Sequence, residues 1–234
     1  MEIIRRTNKA VTLIDELAEH QVSRRKFMRF AGLLGATAAV AGVQTGCKKH
    51  DNEDSGINLG SGDAGILNYA YALEQLEAAF YTKVVASTST GLSTSEMNYF
   101  KDIRDHEIAH REFFKNALGS NAIPALDVNF SAVNFNSRDS ILTTSKAFED
   151  LGVSAYNGAG PLLKDANNLL LAGKIVSVEA RHAALIRDLI SNGTFADNTA
   201  VDSNGLDLSR IPSEVLAIAG AYFNSKLNAS NLPS

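Results

Sequence analysis

Two Glu-x-x-His pairs constrain this chain more than any other feature: Glu107/His110 in EIAHREFF and Glu179/His182 in VEARHAAL. On a helix, residues three apart lie one above the other, so each pair offers a carboxylate and an imidazole to one point. Twelve Glu and five His scattered at random would give about a quarter of one such pair. Both pairs also sit inside apolar stripes. Leu171, Ile175, Glu179, His182, Ile186 and Leu189 fall within about 40° of one direction at the helical step. Phe100, Ile103, Glu107, His110, Phe114 and Leu118 share one side in the same way. A chain with ligand pairs on two apolar faces is built to bury them between helices.

Helical periodicity predicts four long segments. The first runs from Asp63, its cap, to Ala86. The second runs from Ser93 to Leu118, opened by the capping box Ser93-Thr94-Ser95-Glu96 and stopped by Gly119. The third spans Ser140 to Tyr156, closed by Asn157-Gly158-Ala159-Gly160-Pro161, and the fourth Lys164 to Ile190. A shorter fifth helix, Pro212 to Lys226, starts with proline at a tolerated first-turn position. Short turns join helices one and two, and three and four, as antiparallel neighbours require. Between helices two and three, Ser120 to Asp139 carries Pro124 and alternating Val128, Phe130, Val133 and Phe135 without a helical pattern. The expected fold is all-α: a four-helix bundle over residues 61–193 with one long crossover between helices two and three. Residues 194–234 form a C-terminal extension with the short helix.

The other two long helices add inward carboxylates. Glu74 lies among Leu67, Ala70, Ala78, Tyr81 and Val85, and Glu149 accompanies Leu142, Val153, Tyr156 and Leu163. Four ionised carboxylates in one apolar core are far too costly unless they change protonation, pair with cations or bind metal. Lys and Arg reach these stripes only at the margins, at Arg111 and Lys146. Two divalent ions would balance Glu74, Glu107, Glu149 and Glu179, with His110 and His182 as neutral ligands. Mixed carboxylate and imidazole ligation suits iron or manganese and tolerates zinc. Glu77, about 60° off the Glu74 direction, is a further candidate, either as ligand or as an edge residue. His106 falls about 100° off its stripe and reads as surface or packing. Tyr81 and Tyr156 each follow an inward Glu by seven residues on the same face. Core filling, a hydrogen bond to a ligand carboxylate and a redox role all remain open for them.

The N-terminal part reads as a targeting segment, residues 1–46. Ser23-Arg24-Arg25-Lys26-Phe27-Met28 resembles a twin-arginine export signal and precedes an Ala/Gly-rich apolar run, Phe30 to Val43, too short to span a bilayer. Val43-Gln44-Thr45-Gly46-Cys47 resembles a lipobox, with Gln44 where Leu is usual, so Cys47 is the expected lipidation site. A polar tether, residues 47–60, follows. The expected location is therefore the periplasm or cell envelope, with a membrane anchor at Cys47. As the chain's single cysteine, Cys47 excludes an intramolecular disulfide framework and a Cys-based zinc or iron–sulfur site. Beyond residue 46 the chain holds 15 basic and 22 acidic residues, a balance that argues against nucleic acid and suits cations.

Three stretches carry a family resemblance: Asn68-Tyr69-Ala70-Tyr71-Ala72-Leu73-Glu74-Gln75-Leu76-Glu77-Ala78-Ala79-Phe80-Tyr81, His106-Glu107-Ile108-Ala109-His110 and Val178-Glu179-Ala180-Arg181-His182-Ala183. Over about residues 60–195 the chain resembles the ferritin-like di-iron carboxylate superfamily, and more narrowly exported bacterial ferritin-like domain proteins of the desiccation-related type. The resemblance implies a ferritin-like bundle, Glu74 as the ligand of the first helix, and Glu107 with Glu149 as the bridging carboxylates. It implies two iron ions, alternatively Mn or Zn, and small oxidants as partners. Superfamily members oxidise Fe(II), decompose peroxide, store iron or activate oxygen. Cage storage fits a lipid-anchored chain poorly, whereas a homodimer is compatible with it. The expected function is that of a di-metal oxidoreductase reacting with peroxide or dioxygen, or oxidising Fe(II). The alternative is a metal-binding or structural stress protein of the envelope without turnover.

Overall fold

The computed structural model describes residues 56–233. The expected export signal, the expected lipidation site Cys47 and the expected tether up to residue 55 lie outside them. Four long helices carry the fold: α1 (Gly62–Ala86), α2 (Thr94–Leu118), α3 (Arg138–Ala159) and α4 (Ala166–Ile190). α1 packs chiefly on α2 and α3 on α4, giving the two antiparallel pairs that the short turns require. A short fifth helix, α5 (Pro212–Ala219), lies against α3. Among the described residues no helix is long and apolar enough to cross a membrane.

Local chemistry accounts for the helix ends. Ser93 and Glu96 close the anticipated capping box: Glu96 N donates to Ser93 Oγ at 3.2 Å and Ser93 N to Glu96 Oε2 at 2.7 Å, satisfying two orphan amides. Ser137 caps α3, which therefore begins at Arg138 rather than Ser140. The same helix continues past Tyr156 to Ala159, through Asn157-Gly158. Gly158 is there for close approach, since a Cβ on it would meet Arg210 O at 1.7 Å. Asp63 does not cap α1, whose N-cap is Ser61. Its carboxylate instead accepts from Lys164 N and Asp165 N, each at 2.9 Å, and from Asn168 Nδ2 at 3.1 Å. It thus ties the start of α1 to the start of α4.

α1 is buried nearly all round, because the crossover covers the side that the other helices leave open. Two buried amides on α1 pin that crossover. Asn68 Nδ2 donates to Leu59 O and Asn121 O, and its Oδ1 accepts from Ile123 N at 2.9 Å. Gln75 Oε1 accepts from Leu126 N at 2.8 Å. The alternating apolar residues of the crossover fill a second layer. Phe130 and Phe135 each pack against Phe80 with ring centroids 5.8 Å apart, and Phe148 closes on it at 5.1 Å.

The C-terminal extension is part of this packing. α5 ends at Ala219, followed by a single 3-10 turn, Gly220–Tyr222, so the helix expected to reach Lys226 stops short. The reason is tertiary pairing. Asn224 N donates to Asp127 O at 2.9 Å, Phe223 bridges Val128, and Leu227–Asn228 pairs in parallel with Ile57–Asn58. Backbone groups that could have extended the helix are taken by the crossover and by the strand preceding α1. Arg187, 2% exposed, fastens the remainder. It donates to both oxygens of Asp150 at 2.7 and 2.8 Å, to Asp197 Oδ1 at 3.2 Å and to Thr199 Oγ1 at 2.8 Å.

Candidate metal centre

The four long helices each bring one fully buried carboxylate to the middle of the bundle. Glu74, Glu107, Glu149 and Glu179 all have no exposed surface, and His182 is 4% exposed. Ligand atoms of Glu74, Glu107, His110 and Glu179 lie within 4.8 Å of one another, and so do those of Glu107, Glu149, Glu179 and His182. Either group could hold a metal ion. All six residues expected as ligands are therefore brought together. Glu107 and Glu179 belong to both groups, whereas Glu149 belongs to one. The resemblance implied Glu107 and Glu149 as the candidates to bridge; the residues common to both groups are Glu107 and Glu179. The physical reason is that the two Glu-x-x-His helices face each other across the site, and each glutamate reaches the other helix's histidine.

Distances show this crossing directly. His110 Nδ1 is 2.8 Å from Glu179 Oε1 and 3.5 Å from Glu74 Oε2. His182 Nδ1 is 2.8 Å from Glu107 Oε1 and 3.5 Å from Glu149 Oε2. Despite these ion-pair distances, both Nδ1 atoms, both oxygens of Glu107 and of Glu179, Glu74 Oε2 and Glu149 Oε2 lack a hydrogen-bond partner of adequate geometry. Buried polar atoms are rarely left so. Eight such atoms converging on one place fit a cation shared among them, and their oxygen and nitrogen character fits iron, manganese or zinc.

The two tyrosines complete a cross-bundle pattern. Tyr81, on α1, donates to Glu149 Oε1 on α3, and Tyr156, on α3, donates to Glu74 Oε1 on α1. Each hydroxyl thus holds one oxygen of a terminal carboxylate and leaves the other oxygen facing the histidines. Burial pushes both phenols far above their ordinary range, and the negative carboxylates beside them add to it.

Electrostatics without a cation are those of a crowded acidic site. Burial, then the charge of Glu179, raises Glu107 to about 8. Burial also raises Glu149 and Glu77, the latter with help from Glu179 and Glu107. Glu179 goes the other way: burial pushes it up, but the close approach of the His110 and His182 imidazoles outweighs that and brings it to about 2. Burial alone would lower both histidines, yet the surrounding glutamates raise His182 to about 12 and His110 further. A metal ion bound among these groups would take the place of their protons.

Glu77 stands in neither ligand group. Its Oε1 lies 3.1 Å from where a Cβ on Gly152 would sit, and Glu179 Oε2 lies 3.8 Å from the same point. The absent side chain at Gly152 is what makes room for this carboxyl beside Glu179. His106, expected on the surface, is exposed but touches the site: its Nδ1 is 2.9 Å from His182 Nε2, with the ring planes 7° apart. Helical-wheel reasoning missed it because the wheel measures direction toward the core, not reach along a neighbouring ligand's outer edge. A small apolar cavity of about 20 Å³ also adjoins Tyr156, lined by Tyr69, Leu73, Phe114 and Ala172 among others. It has room for one molecule of about water size, and the buried Tyr69 hydroxyl beside it is unpaired.

A family model described as a ferritin-like domain matches residues 62–192, which include all four long helices and every residue of the cluster. No curated protein sequence matches the chain.

Proposed function

We propose, from the premise that this chain belongs to the ferritin-like domain family, that it is an exported di-metal protein whose redox-active pair, most naturally two irons, reacts with dioxygen or peroxide. The observation that carries this reading is the pair of overlapping ligand groups sharing Glu107 and Glu179. Four carboxylates and two neutral imidazoles balance two divalent ions, and the ligand types suit a metal that changes valence. Iron bound there would supply one-electron and oxygen chemistry. The chain's own residues do the rest. Glu107 and Glu179 would serve both positions, Glu74 with His110 and Glu149 with His182 would complete one each, and Tyr156 and Tyr81 hydrogen-bond the carboxylates of Glu74 and Glu149.

Twin-arginine residues Arg24-Arg25 and the lipobox-like stretch ending at Cys47 support export and anchoring of the desiccation-related type. Incorporation of labelled fatty acid that persists in Cys47→Ala would remove the anchor from the account. The test of the chemistry is an anaerobic Fe(II) titration of the chain from residue 48, followed by peroxide or dioxygen, watching the absorbance of oxo-bridged ferric pairs. Saturation at two irons with rapid oxidation supports an oxidoreductase. Stable iron that ignores both oxidants makes the protein a metal holder at the envelope instead.

A further inference from the structure

The centre is close to two-fold symmetric. Glu74 and Tyr81 on α1 correspond to Glu149 and Tyr156 on α3, and Glu107 and His110 on α2 correspond to Glu179 and His182 on α4. Distances obey the correspondence: the two cross-helix His–Glu contacts are both 2.8 Å, and the two His–terminal Glu contacts both 3.5 Å. Two positions break it. Glu77 on α1 faces Gly152 on α3, its own counterpart. His106 on α2 corresponds to Val178 on α4, since each immediately precedes the Glu of its Glu-x-x-His pair.

The second break acts directly on a ligand. His182 turns Nδ1 toward the carboxylates and Nε2 toward His106 Nδ1 at 2.9 Å. A histidine that ligates through Nδ1 carries its proton on Nε2, and a fixed acceptor for that N–H orients the ring and raises its basicity. His106 Nδ1 is placed to be such an acceptor when His106 carries its own proton on Nε2, with the two ring planes 7° apart. His110 has Val178 at the corresponding place, which offers no acceptor. Its side chain is also the more open of the two, 12% against 5% exposed.

We infer that His106 is a positioning residue that makes the two metal positions unequal: the one completed by Glu149 and His182 is tight and fills first, and the one completed by Glu74 and His110 is weaker and exchanges with solvent. This rests on the di-metal reading above. The weaker position is then where a small exogenous ligand enters and where metal is gained and lost.

The test is an anaerobic Co(II) titration of the full chain, read by ligand-field absorption, which requires no turnover. Wild type takes up two cobalt ions in separated steps. His106→Val, which copies Val178 onto α2, weakens the first step by about 10- to 100-fold, so that the two steps merge. His106→Gln, whose amide oxygen can accept the same N–H, restores part of the separation. Val178→His tightens the second step instead. Helical circular dichroism checks that each variant is folded, as expected for an exposed histidine. Wild type that binds two cobalt ions in a single step, or His106→Val with the steps still apart, overturns the inference while leaving the di-metal site standing. Wild type that binds no cobalt and no iron overturns both.

Discussion

Glu107 Oε1 lies 2.8 Å from Nδ1 of His182, a residue on the opposite helix pair, closer than Glu107 Oε2 comes to Nδ1 of His110 on its own helix, 3.4 Å. The Glu-x-x-His pairs are therefore not two separate half-sites. Each glutamate serves both, and the four helices are cross-braced at the centre by contacts that no pair of neighbouring helices makes alone.

This sharing separates the carboxylates by consequence. Glu179→Ala removes a ligand from both groups, whereas Glu149→Ala removes one from a single group. Metal content measured by plasma emission after dialysis should fall toward zero in the first variant and by about half in the second. Equal losses in the two variants would contradict the sharing.

Gly152 offers a test of the carboxyl that neither group includes. In a helix interior, Gly→Ala ordinarily gains about 1 kcal/mol. Here the new Cβ would lie 3.1 Å from Glu77 Oε1, so that carboxyl must move. Gly152→Ala is expected to change the Co(II) absorption spectrum while leaving thermal stability within about 1 kcal/mol of wild type. An unchanged spectrum would place Glu77 outside the metal's surroundings.

Stability of the metal-free protein should depend on pH in a definite direction. Glu107 is raised to about 8 from 4.5, and His182 to about 12 from 6.5. Groups raised on folding give stability that is complete below their unfolded values and is lost as pH rises through the folded ones. Glu179, lowered to about 2 from 4.5, gives stability that is present above 4.5 and lost as pH falls toward 2. Chelated protein should therefore melt highest near pH 4.5, lose stability from there toward pH 8 as Glu107 gives up its proton, and go on losing it above pH 6.5 through His182. Metal-loaded protein should not show the alkaline loss, because the cation takes the place of the protons. Calorimetry of both forms across pH 4 to 10 checks the contrast.

Arg187 tests the packing rather than the site. Its guanidinium joins Asp150 on α3 to Asp197 and Thr199 in the C-terminal extension. Arg187→Ala should cost about 3 kcal/mol, because the pair is broken and the hydroxyl and carboxylate partners are left unmatched. Denaturant unfolding measures it, and the bound-metal content of the folded variant should stay that of wild type.

Much of the centre was legible in the chain because helical periodicity turns spacing into direction. Glu74, Glu107, His110, Glu149, Glu179 and His182 each stood on an apolar stripe, where an unpaired charge is too costly to be incidental. Direction around a helix says nothing of depth or of which partner lies opposite, so the place of Glu179 in both ligand groups needed the packed bundle. His106 was hidden for a related reason: its stripe is the solvent face, and its contact exists only because α4 presents the back of His182 there. At the C-terminus, helical pattern over Phe223 to Lys226 lost to backbone pairing with Asp127 and Ile57, which are distant in sequence. Asp63, a good helix-capping residue, was claimed by the amides of the α3–α4 turn for the same reason.

The most direct test of the central claim is anomalous diffraction at the iron edge from crystals of the iron-loaded protein. The account predicts two peaks inside the bundle, one within ligand distance of Glu74, Glu107, His110 and Glu179, the other within ligand distance of Glu107, Glu149, Glu179 and His182. A single peak, or peaks only at surface carboxylates, would contradict it.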